Sequence, residues 1–169
     1  MSENFETKDS GKREEFASGM QRDTQEGKTQ FRLALDGPLP EALFWGKPKA
    51  DAAHAFMRWL DNQTVESGCE VVNLIANYEG GYPALFQRFA ELMTRGAVKY
   101  TARNWMKANG EAELQRFIDS ASRHFFQWFA GNRDEDHGAA VIFNINGAQY
   151  VRGRMEVEEL MKDIRKPSY

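Results

Sequence analysis

The chain has 169 residues, enough for one domain with its own core. Its 22 basic and 25 acidic residues are spread along the sequence and leave a net charge of -3, so no basic footprint marks a nucleic-acid polymer as partner, while nucleotide monomers stay open. A lone cysteine, Cys69, excludes an internal disulfide framework and reads as a small buried apolar group in a reducing compartment.

In chain order, residues 1–15 carry too little apolar surface to offset the entropy of ordering and are expected to form a flexible tail. Residues 1–27 show neither a signal-peptide core nor a transit-peptide pattern, and no stretch approaches the ~20 apolar residues of a membrane span. A soluble, cytoplasmic protein without a membrane partner is the expectation. Residues 16–169 then read as a single helical domain. Arg22-Asp23, Glu26-Gly27-Lys28 and Arg32 form a glycine-punctuated charged run before a short apolar segment. That run is either a surface turn or a backbone-lined cradle in which Arg22, Lys28 and Arg32 converge on an anion.

Residues 37–82 read as a loop-rich insertion, opened by breakers at Gly37-Pro38 and Gly46-Lys47-Pro48, with one turn of helix at Glu41–Phe44. Inside it, Asp51 can cap a helix bearing Ala52, Ala53, Phe56, Met57 and Leu60 at helical spacing. His54 on that helix has a packing or surface role. Val71, Val72, Leu74 and Ile75 fit a strand or a buried helix equally well. Pro83 opens a helix whose stripe of Leu85, Phe86, Phe89, Leu92 and Met93 is expected to stop at Gly96, with Lys99-Tyr100 and Asn104-Trp105 in a loop. The strongest helix runs from Glu111 to Ala130, carrying Leu114, Phe117, Ile118, Ala121, Phe125 and Trp128 on one face. Asp134, Glu135 and Asp136 load charge onto the start of the next helix, where the helix dipole favours it. Its face presents His137, Ala140, Val141 and Asn144, and after Gly147 a last helix carries Val157, Leu160, Met161 and Ile164.

Two clusters concentrate the chemistry: Arg123-His124, and the acidic run that ends in His137. If the two helices pack antiparallel, His124 lies about 9 Å along the axis from the connection, within reach of Asp136 or His137. Carboxylates with imidazoles make a mixed ligand set suited to Mg²⁺ or Mn²⁺, and phosphate chemistry uses such an ion. His124, Asp136 and His137 are therefore the candidate catalytic and metal-binding residues, with Glu91 as a further carboxylate. Asp119 reads as an intrahelical partner of Arg123. Trp105, Tyr100 and Tyr82 are either core aromatics or stacking surfaces for a base whose edge Asn104 or Asn144 reads. No phosphate loop of the GxxxxGKS type, nucleophile elbow or CxxC pair is present.

The segment Arg95-Gly96-Ala97-Val98-Lys99-Tyr100 with Asn104-Trp105, then Arg123-His124 with Trp128, then Asp134 to His137 with Ala139-Ala140 and Asn144, resembles the phage and bacterial dATP/dGTP diphosphohydrolase N-terminal domain family. Ser18-Gly19, Arg22-Asp23 and Gly27-Lys28 resemble the same family's opening. The resemblance implies a mostly α, MazG-like helical bundle and a metal-dependent hydrolase converting dATP or dGTP to the monophosphate and pyrophosphate. It implies Arg22, Lys28 and Lys99 as phosphate contacts, and Trp105 or Asn104 beside base or sugar. The paired ExxE and ExxD signature of MazG-like enzymes is absent, and Ala140 stands where many relatives carry a second histidine. Beside the enzyme stands a second reading, a module that binds nucleotide without cleaving it. Either is expected to act as a homo-oligomer on nucleotide monomers, with no nucleic-acid polymer as partner.

Overall fold

A computed structural model of the chain describes Phe5, residues 8–35 and residues 44–165. The expected turn of helix at Glu41–Phe44 lies, but for Phe44, outside the described residues. Those residues are mostly α-helical, with one small hairpin.

The hairpin pairs β1 (Arg13–Glu15) with β2 (Gln21–Asp23) in antiparallel register, Glu14 opposite Arg22. Part of the expected tail is therefore paired backbone. Gly19, at φ 77°, supplies the left-handed turn residue, and Met20 is fully buried, which anchors the hairpin to the core.

Five α-helices follow: α1 (Ala50–Asn62), α2 (Val65–Tyr78), α3 (Tyr82–Tyr100), α4 (Glu111–Phe129) and α5 (His137–Arg165). Two of them, α1 and α2, fill most of the stretch read as a loop-rich insertion. They form an antiparallel pair, with Asp51 against Tyr78 at one end and Arg58 against Glu70 at the other. Thr64 caps α2 by accepting the Ser67 N–H at 3.2 Å, which decides for helix where periodicity was silent. Cys69 is exposed on α2 rather than buried.

The core of the molecule is the antiparallel pair α4 and α5. The direction follows from the contacts: His124 meets His137, Ser120 and Asn144 share Arg22, and Phe117 packs on Phe143 with ring centres 5.8 Å apart. Phe56 of α1 stacks on Phe125 at 4.2 Å, joining the first helix pair to the second.

Two glycines expected to end helices lie inside them. Helix α3 runs through Gly96 to Tyr100 and stops where Thr101 and Arg103 take positive φ. Helix α5 is continuous through Gly147, where a Cβ would overlap the Phe117 ring. Gly147 is thus a point of close approach between α4 and α5, not a stop. The last turns of α5 leave Val157, Leu160, Met161 and Ile164 exposed.

Candidate active site

The antiparallel crossing of α4 and α5 sets His124, in the second half of α4, opposite His137, the first residue of α5. Their Nδ1 atoms are 3.0 Å apart, and both residues are buried. The Nε2–H of His137 donates to Asp134 Oδ1 at 2.9 Å, so in the neutral ring Nδ1 is the bare nitrogen and faces His124. Burial, followed by the positive charges of Arg123, Arg22 and Lys28 nearby, holds His124 well below the usual imidazole range, so its ring is neutral near pH 7. Two imidazole Nδ1 atoms this close either share one proton or turn two lone pairs toward a cation.

Glu135 completes a trio with them: ligand atoms of His124, Glu135 and His137 all lie within 4.8 Å of one another. Two ring nitrogens and a carboxylate, with one imidazole oriented from behind by Asp134, are a donor set that fits a divalent ion. Asp134 is itself held below the ordinary carboxylate range, first by the Lys8 ammonium and then by His137.

Asp136, expected among the ligands, lines the same cavity as His124 and Glu135, but its carboxylate is taken up by other partners. Its carboxylate takes two bonds from Arg88, at 2.6 and 2.7 Å, and accepts the Ala139 N–H at 3.1 Å, which caps α5. Glu91 lies on α3, where its carboxylate accepts from Gln87 at 3.0 Å, and it is not part of the cavity wall. Asp119 accepts from Gln115, not from Arg123 as expected.

Beside the histidines opens a cavity of about 780 Å³, walled by the hairpin, the second half of α3, α4 and α5. Arg22 enters from β2 and lies over the rings of Phe117 and Phe143, at 4.8 and 5.2 Å, while its Nη2 donates to Asn144 Oδ1 at 2.9 Å. Lys28, Lys99, Arg116 and Arg123 also line the space. Lys99 donates to Asp23 at 3.0 Å and to the carbonyl of Lys8 at 3.1 Å. Burial and the nearby guanidiniums lower Lys28 to about 8.

Of the residues expected to touch a nucleotide, Arg22, Lys28, Lys99, Asn104, Trp105 and Asn144 all line this cavity, and Arg32 does not. Asn104, however, uses its amide as a strand mimic. It accepts the Gln21 N–H at 3.0 Å and donates to the Gln21 carbonyl at 2.8 Å, which fixes the hairpin to the body. Trp105 packs edge-on against Tyr150, 5.1 Å away. Tyr82 is exposed and stacks on Phe86.

Sequence reasoning put Arg123 and Glu135 in its two clusters without giving either a role at the site, and it did not find Arg116 or Lys8 at the cavity. One signal was there to be read. Arg116, Ser120, Arg123, His124 and Gln127 recur at helical spacing beside the apolar stripe of α4, a second, polar stripe on a helix that is otherwise core.

A family model described as dATP/dGTP diphosphohydrolase, N-terminal, matches residues 63–156. The match takes in α2 and everything from there to the middle of α5, including both histidines, but not the run from Ser18 to Lys28. No curated protein matches the chain, and no solved structure does. With more than half of its length matched, across the helices that carry the histidine pair and most of the cavity wall, the chain belongs to the dATP/dGTP diphosphohydrolase N-terminal family.

Proposed function

We propose that the protein is a metal-dependent pyrophosphohydrolase that takes a purine deoxynucleoside triphosphate, dATP or dGTP, to the monophosphate and pyrophosphate. The observation that carries this reading is the trio of His124, Glu135 and His137 beside a cavity lined with arginine and lysine. These three residues would hold the ion, and their mixed nitrogen and oxygen donors suit Mn²⁺ better than Mg²⁺. When bound, a divalent ion supplies charge neutralisation at phosphate oxygens and a more acidic water.

The rest is the work of the chain's own residues. Asp134 fixes the His137 ring by accepting from Nε2, so that Nδ1 stays free of its proton. Arg22 and Lys28 draw the phosphates in, and the rings of Phe143 and Trp105 offer apolar wall for base or sugar. Lining by both charged and aromatic groups fits a nucleotide monomer better than a polymer.

One observation favours the binding module over the enzyme. The backbone N–H of Lys8 donates to Glu135 Oε1 at 3.0 Å, so one oxygen of the third ligand is already engaged. Incubation with each deoxynucleoside triphosphate and Mn²⁺ or Mg²⁺, with products resolved by chromatography, separates the two. Monophosphate plus pyrophosphate, abolished in a folded His137→Ala variant, is the expected result. Turnover that survives His137→Ala would sink the catalytic assignment, and unchanged triphosphate with a nucleotide-dependent rise in melting temperature would establish the module.

A further inference from the structure

Four cations meet in the cavity from three separate parts of the chain. Arg22 comes from β2, Lys28 from the segment after it, and Arg116 and Arg123 from α4. Their carboxylate neighbours answer only part of this charge. Asp23 binds Lys99 and Arg13, while Glu14 reaches Arg116 Nε at 3.4 Å. Arg116 is 5% exposed and is tied down further by the Asp23 carbonyl.

Three donors remain over. Arg22 Nη1, Arg116 Nε and Arg123 Nε are buried and have no hydrogen-bond partner among the described residues, Glu14 meeting Arg116 Nε as an ion pair only. Buried guanidinium N–H groups without acceptors are costly, and a native protein seldom keeps them without use. Burial, then Arg116 and Arg123, push Arg22 down to about 9, a sign that this corner disfavours its own positive charge. An anion with several oxygens would satisfy these donors and relieve the repulsion. Arg116 and Arg123 sit two turns of α4 apart, about 10 Å along the axis, a span that suits linked phosphates better than a single one.

We propose that Arg22, Lys28, Arg116 and Arg123 form a polyphosphate subsite that binds inorganic pyrophosphate on its own, without a divalent ion. The subsite rests on the functional reading above only in that it would hold the two outer phosphates of a nucleoside triphosphate and retain them as the leaving product. Pyrophosphate is then a competitive product inhibitor, and the monophosphate departs first.

The test is calorimetric titration of the whole protein with inorganic pyrophosphate in excess EDTA, with orthophosphate as comparison. Pyrophosphate is expected to bind at least tenfold tighter than orthophosphate, and Arg123→Met to weaken it at least tenfold. Because Arg123→Met removes a buried donor that lacks a partner, the unliganded variant should melt no lower than the parent, which separates a lost ligand from a lost fold. Arg116→Met, where a structural tie is also removed, should both melt lower and bind more weakly. Absence of binding in EDTA at millimolar pyrophosphate, or equal binding by Arg123→Met, overturns the subsite. Triphosphate hydrolysis without this binding would leave the functional reading standing and the subsite fallen; binding without hydrolysis would do the reverse.

Discussion

Arg88 grips Asp136 through two N–H···O bonds, Nε to Oδ2 at 2.7 Å and Nη2 to Oδ1 at 2.6 Å. The pair joins the middle of α3 to the residue just before α5, and His137 is the next residue along. The Asp136 side chain is 1% exposed and that of Arg88 18%, so the charges are largely out of water. Arg88→Met would strand a buried carboxylate, at an expected cost of about 3–5 kcal/mol. A lower urea midpoint at unchanged m-value would register it. Adding Asp136→Asn should recover part of the loss, since the stranded charge is then gone; a double variant no better than the single one would mean that the pair acts otherwise.

The same arginine reaches Glu79, whose carboxylate collects Arg88 Nη1 at 2.6 Å, Trp128 Nε1 at 2.7 Å and Arg133 at 3.4 Å. Burial alone would raise this carboxyl, but the bonds from Arg88 and Trp128 and the charges of Arg88 and Arg133 outweigh it and hold Glu79 below its usual range. With the folded pKa below the unfolded value of about 4.3, the stabilisation is complete above that pH and is lost as pH falls through the folded value. Stability curves at a series of acid pH values should show this limb in the parent and a shallower one in Glu79→Gln. Identical limbs would remove Glu79 from the account.

Gly147 and Phe117 occupy the same space, one by lacking a side chain and the other by filling the gap. Gly147→Val should destabilise by at least about 1–3 kcal/mol through overpacking. Trimming the ring with Phe117→Leu should make the double variant more stable than additivity predicts. A thermal melt of the four proteins measures that coupling, and strict additivity would contradict the contact.

Asp134→Asn keeps the size of the side chain but removes the charge behind the His137 ring. Loss of such a partner typically costs 10- to 100-fold in metal affinity or activity, and this is the range expected here. Mn²⁺ titration followed by electron paramagnetic resonance would read it directly. Affinity within twofold of the parent would mean that Asp134 does not orient the histidine for an ion.

Much of the fold was legible because α4 and α5 announce themselves by period and by charge at their starts. What the sequence could not resolve was phase. The run Asp134, Glu135, Asp136 offers three carboxylates in a row, and a single residue of helix start decides which turns to His124 and which to Arg88. Gly147 and Gly96 looked like stops because a glycine's helix-breaking tendency is local, whereas the reason for Gly147 is a ring on another helix. Asn104 has the chemistry of a base reader, and only the neighbouring strand edge, more than eighty residues earlier in sequence, gives its amide a different task.

The short stretch at residues 8–10 ties both banks of the cavity together, through Lys8 to Asp134 and Glu135 on one side and to Lys99 on the other. These ties lie at the surface, where dissolved ions weaken the charged ones. The attraction between the inner guanidiniums and a phosphate chain is weakened by the same ions. Ionic strength therefore pulls in opposite directions, easing entry while reducing the hold on what has entered. Catalytic efficiency plotted against salt should rise, pass through a maximum and fall, and shortening the chain to begin after residue 10 should leave only the falling limb.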